Sequence, residues 1–186
     1  MAGLRRELVA GLAGVVVEVG CGNGLTFAHY PPTVTRVVAV EPEPRLRAAA
    51  ERAAPAAPVE VEVVAGTAEE LPLPDASADA AVLSLVLCSI GDRARALTEL
   101  RRVLRPGGEV RFLEHTRAAD PRLRRVQRLV DATVWPLLAG GCHTSVDQVG
   151  ELEAAGFTVR EVRRFDFPPA QVRVPASPHV LGVAVR

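Results

Sequence analysis

A chain of 186 residues, 48% hydrophobic but only 4% aromatic, has the length of one domain, residues 1–186, and must build its core from Val, Leu and Ala. Its 22 basic and 22 acidic residues balance, so no long-range charge draws it to a phosphate backbone, and nucleic acid is not expected as a partner. No apolar run reaches the ~18 residues of a membrane-spanning helix, no signal-peptide core opens the chain, and Cys21, Cys88 and Cys142 lack both C-x-x-C spacing and even number, so a cytoplasmic protein without integral membrane segment, disulfide framework or metal site is expected.

Met1 to Gly14 form a short lead-in. Val15 to Val19 then reads as a buried strand that turns sharply into a helix through Gly20-Cys21-Gly22-Asn23-Gly24. Arg36 to Val40 is a second strand ending at Glu41, Pro44 to Ala54 an alanine-rich helix, and Val59 to Ala65 a third strand. Asp79 to Leu87 is almost wholly apolar and suits a central strand. Arg93 to Leu104 carries leucines at helical spacing, with Pro106-Gly107-Gly108 as its stop. Glu109 to Leu113 is a fifth strand, Leu123 to Leu138 a helical region bearing Trp135, and Val146 to Ala155 a helix capped by Gly156. Phe157 to Phe165 and Val180 to Val185 supply a final antiparallel pair joined by a Pro-rich loop. Alternating strands and helices of this kind predict an α/β fold with a seven-stranded, mostly parallel sheet and helices on both faces.

The glycine loop is the sharpest chemical signal. Gly20, Gly22 and Gly24 allow positive φ and close approach of a ligand to the backbone, and a following helix would offer unpaired N–H groups. The spacing is G-x-G-x-G, whereas the dinucleotide fingerprint needs a glycine where Leu25 stands. A nicotinamide oxidoreductase is further disfavoured because the chain has no lysine, hence no Tyr-x-x-x-Lys pair. Glu41, about 20 residues beyond the loop, is placed to accept bonds from two ribose hydroxyls. The alternative for these positions is a plain strand-to-helix turn and a solvated strand-end carboxylate.

After the third strand comes Gly66-Thr67-Ala68-Glu69-Glu70-Leu71-Pro72-Leu73-Pro74-Asp75, and Leu104-Arg105-Pro106-Gly107-Gly108 follows later. With these motifs in order, nearly the whole chain resembles the class I S-adenosylmethionine (SAM)-dependent methyltransferases, which have a Rossmann-like fold. The resemblance implies that Thr67, Ala68 and Glu69 line the adenine, with Thr67 where Asp is commoner. A cofactor site of Glu18, Gly20, Cys21, Gly22, Gly24, Glu41, Pro42, Thr67, Ala68, Glu69, Ser84 and Leu85 follows, Glu18 matching the SAM ammonium and Ser84 and Leu85 lying near its methionine end. The product would be S-adenosylhomocysteine. His29-Tyr30-Pro31-Pro32, Leu85 to Ser89, Glu114-His115 and Asp131 through Trp135 to Cys142 are similar, more narrowly, to the methyltransferase-like branch that includes mammalian thiol S-methyltransferases, here as a bacterial member. Those relatives carry further helical sequence before the first strand.

The acceptor implied is a small molecule: a thiol, phenol, quinone or lipid amine. His115, past the fifth strand, and His143, after Gly140-Gly141-Cys142, are the candidate bases. The bland alternatives are hydrogen-bonded structural histidines, a core Trp135, inert buried Cys88 and Cys142, and a Glu114 that solvates a strand end. Arg122, Arg124, Arg125 and Arg128 read as a solvated helix face that could also attract an anionic acceptor or lipid surface. A non-catalytic SAM-binding or partner-binding protein is the alternative function, and a homodimer stays open.

Overall fold

Strands made of Val and Ala with few polar residues between them have no face to show to water, so they need cover on both sides. The computed structural model describes residues 1–169 and 174–186. In it β1 (Gly14–Val19), β2 (Val34–Val40), β3 (Glu60–Val64), β4 (Ala78–Ser84), β5 (Leu104–His115), β6 (Thr158–Asp166) and β7 (Pro178–Val185) form one sheet in the order β3-β2-β1-β4-β5-β7-β6. The first five strands run parallel. β7 is antiparallel to both β5 and β6, so the expected final pair is present, with β6 rather than β7 on the edge. Of the expected Pro-rich connection, residues 170–173 lie outside the described residues.

One face of the sheet, with Val17, Val38, Leu83 and Phe112, packs on Leu97 and Leu100 of α3 (Arg93–Val103) and Leu152 of α6 (Gln148–Ala154). The other, with Val16, Val37, Val82 and Leu113, packs on Leu8 and Val9 of α1 (Ala2–Val9) and Ala50 of α2 (Pro44–Ala53). The helix starts are chemically specified. Pro44 enters α2 behind Glu43, whose carboxylate accepts from the Leu46 N–H at 2.7 Å, and Asp92 accepts from the Arg95 N–H at 3.0 Å to open α3.

Four local expectations are corrected. After Gly24 there is no α-helix, only a 3-10 turn at Phe27–His29; Pro31 and Pro32 remove the next donors and push Tyr30 to φ −60, ψ 133, out of the helical region. The fourth strand ends at Ser84 instead of Leu87 because Leu85 takes φ +59. α3 ends at Val103 without needing Pro106-Gly107-Gly108, which sits inside β5 where the register with β4 slips. The region 123–138 is two helices, α4 (Pro121–Asp131) and α5 (Trp135–Leu138). Pro136 cannot donate to the carbonyl four residues back, and the Asp131 carboxylate instead binds the N–H and hydroxyl groups of Thr144 and Ser145.

Gly182 lies mid-strand in β7, between Phe112 of β5 and Val162 of β6. A Cβ there would collide with the Glu161 carbonyl and the Phe112 ring. Gly182→Ala should therefore cost about 2 kcal/mol or more, measured as a drop in urea midpoint at constant slope.

Candidate functional site

In a parallel sheet of order 3-2-1-4-5 the chain leaves β1 in one direction and β4 in the other, and a crevice opens between their carboxyl ends. A cavity of about 600 Å³ occupies that place. Its walls come from the glycine loop after β1, the Glu41-Pro42 corner after β2, Gly66 to Glu69 after β3, and Ser84 to Val86 after β4. All the predicted cofactor residues line it except Gly24. Gly24 instead packs against the Phe27 ring and Ala53, where a Cβ would stand 2.6 Å from ring carbon Cε2.

The loop's shape is held by backbone bonds and one carboxylate. Gly20 and Cys21 donate to the Val40 carbonyl at 2.8 and 3.1 Å. Gly20 has φ +64, and a Cβ on it would strike Val86 across the crevice, so the two sides approach as closely as the missing side chain allows. Glu41, 5% exposed, accepts from the Gly22 N–H at 2.8 Å through Oε2 and from the Glu43 N–H at 3.0 Å through Oε1. A carboxylate has about four acceptor sites, so capacity for hydroxyl donors remains after both bonds.

Glu18, at the floor, is buried, and the Tyr30 hydroxyl donates to its Oε2 at 2.8 Å. Burial raises its pKa from 4.5 to about 7, against the lowering pull of Tyr30, Thr26 and Arg5. The Cys21 thiol is pushed up to about 12, by burial first and then by Glu18 and Glu41, so it is no nucleophile. Beside the loop that follows β3, Arg102 ties Leu71, Leu73 and Asp75 to Glu99 of α3. The Arg95 Nε donates to the Glu69 carbonyl at 3.0 Å. That clamp was not foreseen, because an arginine on a helix reads as a solvated face.

Glu114 is not a solvated strand end. It is wholly buried, and its Oε1 accepts from the Val86 and Leu87 N–H groups at 3.0 and 3.1 Å, while the Leu113 carbonyl accepts from Leu85 N–H at 2.8 Å. Thus β5 holds the left-handed turn that follows β4 from beneath. Burial raises Glu114 to about 7 as well. Beside it the Cys88 thiol hydrogen-bonds Cys142, and this bond, burial and Glu114 together hold Cys88 protonated. The 142 loop is tied to the same turn by the His143 N–H bonding the Cys88 carbonyl at 2.8 Å.

The histidines are not in the cavity wall. His115 bonds the Ala176 carbonyl at 3.0 Å through Nδ1, its ring lies 4.4 Å from that of His179, and burial, then His179, depress its pKa to about 4. It is a neutral packing residue between β5 and β7. His143 lines an adjoining hollow of about 670 Å³ that shares Ser89, Ile90 and Gly91 with the cavity. Cavity residues with no signal in the sequence include Arg5, Thr26 and Leu46, whereas Leu25, Gly66, Ser89 and Gly140 lie in motifs the sequence singles out without a cofactor role.

A methyltransferase-domain family model matches residues 17–112, from β1 into β5. The chain is 34% identical to the human thiol S-methyltransferase TMT1A over 100% of its own length and 80% of that protein. The chain belongs to the class I SAM-dependent methyltransferases. Human thiol S-methyltransferase TMT1B is 33% identical over 98% of this chain and 78% of its own. A geranyl diphosphate methyltransferase solved in complex with SAM superposes with a TM-score of 0.74 at 15% identity, over 100% of this chain and 84% of that one. SAM is accordingly the cofactor of this methyltransferase, and the cavity has a lining that suits it: glycine backbone together with the acidic side chains of Glu18, Glu41, Glu43 and Glu69.

Glu18 and Glu114 hold their protons in the folded methyltransferase up to about pH 7, whereas the unfolded chain releases them near 4.5. The folded state binds more protons across that window, so their contribution to stability, present in full at low pH, is lost as pH rises through 7. Glu114→Gln removes one titrating group and should flatten the loss between pH 5 and 8 by up to about 3 kcal/mol, read from urea midpoints at each pH.

Proposed function

We propose that this enzyme transfers the SAM methyl group to the sulfur of a small apolar thiol. The cofactor site in this reading is the set named from the sequence. Glu41 accepts the ribose hydroxyls, Pro42 and Thr67 to Glu69 border the adenine, and Gly20, Cys21 and Gly22 present backbone to the methionine moiety. Glu18 faces the ammonium group, Ser84 and Leu85 flank the carboxyl end of that moiety, and Gly24 shapes the loop through its packing on Phe27.

The observation that carries the acceptor is the composition of the wall beyond Leu85. It is formed by Val86, Ser89, Ile90, Gly91 and Gly140, apolar or hydroxyl-bearing, which suits a nucleophile that ionises on its own. A thiol does; a phenol or amine gains more from a base. The relatives named as thiol S-methyltransferases support the same class. When bound, SAM supplies a methyl on a sulfonium sulfur, which the acceptor sulfur takes in line while S-adenosylhomocysteine leaves. The chain's own part is to hold the acceptor about 3 Å from that methyl and keep water out. His143, in the adjoining hollow, is the candidate to receive the thiol proton. His115 has no part in this reading.

Calorimetric titration with SAM, S-adenosylhomocysteine and NAD should give micromolar binding of the first two and none of NAD. Glu41→Ala should weaken SAM by roughly tenfold to a hundredfold, the loss of charge-assisted hydrogen bonds; unchanged affinity would remove Glu41 from the site. SAM affinity should rise from pH 6 to pH 8, because Glu18 must shed its proton to meet an ammonium ion, and Glu18→Gln should abolish that slope. A methyl-transfer screen on alkyl and aryl thiols, phenols and amines tests the acceptor. Turnover of phenols or amines in preference to thiols would sink the sulfur assignment while leaving the cofactor site intact.

A further inference from the structure

Most amphipathic helices turn their apolar residues inward. α4 does the reverse. Its buried contact is Gln127, whose amide donates to the carbonyls of Thr116, Thr144 and Pro175 and accepts from the Ala118 N–H, all between 2.8 and 3.1 Å. Val126 and Leu129 point the other way, and Leu129 is 66% exposed. On α5, Leu137 and Leu138 are 86% and 82% exposed, and Val134 between the helices is exposed too. Most of the strongly exposed large apolar side chains among the described residues are gathered here.

The same outward arc of α4 carries Arg122, Arg125 and Arg128, none of which has an ion-pair partner among the described residues. The acids nearest in sequence are committed elsewhere: Asp120 to the helix start at Arg122 N–H, and Asp131 to Thr144 and Ser145. In a chain of zero net charge this is a local positive face with leucines beside it.

We propose that α4 and α5 dock the protein on an anionic lipid membrane, with Leu129, Leu137 and Leu138 entering the headgroup–acyl boundary and Arg122, Arg125 and Arg128 meeting lipid phosphates. A basic, outwardly apolar helix lying in the interface plane has this composition. A second copy of the chain fits the face less well, because a two-fold contact would set each arginine row against its own image. Docking in this way brings the membrane to the cavity, since Gly140, two residues past Leu138, is part of the cavity wall. The proposal does not depend on which acceptor is methylated.

The test is co-sedimentation of the full chain with vesicles of phosphatidylcholine alone and with about a third phosphatidylglycerol, at low and high salt. Binding to the anionic vesicles should exceed binding to the neutral ones by tenfold or more and fall as salt rises. Leu137→Ser with Leu138→Ser, and separately Arg125→Gln with Arg128→Gln, should each reduce it at least tenfold while SAM affinity and melting temperature stay unchanged. Absence of vesicle binding, or binding that both double variants retain, would overturn the proposal. So would sedimentation showing a dimer that the leucine variant dissociates, which would give the face to a second copy.

Discussion

At the carboxyl ends of β1 and β4 the chain must turn away from the sheet, and each turn exposes backbone N–H groups that no strand can pair. Two buried glutamate side chains close them. Glu41 takes the Gly22 N–H in the turn after β1 and also the Glu43 N–H in its own corner after β2, and Glu114 takes the N–H groups of Val86 and Leu87 after β4. Each reaches across from an adjacent strand, so the shape of the crevice depends on the register of β2 on β1 and of β5 on β4. Gly20 and Val86 then meet across the gap at a separation that permits no additional carbon. The site is stiff because its walls are secured from below, by groups worth more buried than they would be in water.

Glu114 and Glu18, the two acids that burial raises to about 7, play different electrostatic parts. Among the described residues Glu114 accepts only from amide donors through Oε1, and its Oε2 has no partner, so little offsets the burial that keeps its proton on. Glu18 has Tyr30 as a donor and opens on the cavity. One carboxyl therefore serves the fold and the other is available to a cationic ligand, although burial raises both to about the same value.

Much of this was legible in the residues. The seven strands and the α/β class follow from the alternation of apolar runs with helices, whereas the strand order does not, and the G-x-G-x-G loop, Glu41 and the Thr67-Ala68-Glu69 segment converge on one cavity. What failed to read was whatever depends on a partner distant in sequence. Glu114 looked like a strand-end acid because its donors lie 27 and 28 residues earlier. His115 looked like a base at a crevice mouth because nothing in its neighbourhood announced His179, which crosses beside it from the far end of the chain. The missing helix after Gly24 is, by contrast, readable in the sequence, because Pro31 excludes Tyr30 from the helical region and Pro32 removes a further donor.

β7 threads between β5 and β6, and this has a consequence for the order in which the chain assembles. During synthesis β6 emerges before β7, with no neighbour to pair with, while β5 presents an open edge along the same side of the nascent sheet. β5 can settle against β4, but β6 has no place in the sheet until Pro178 to Val185 arrives between β5 and β6, a pairing of high sequence separation from β5 and correspondingly late. Until then the growing protein carries an unsatisfied sheet edge, and that interval is when it is most exposed to pairing with another molecule.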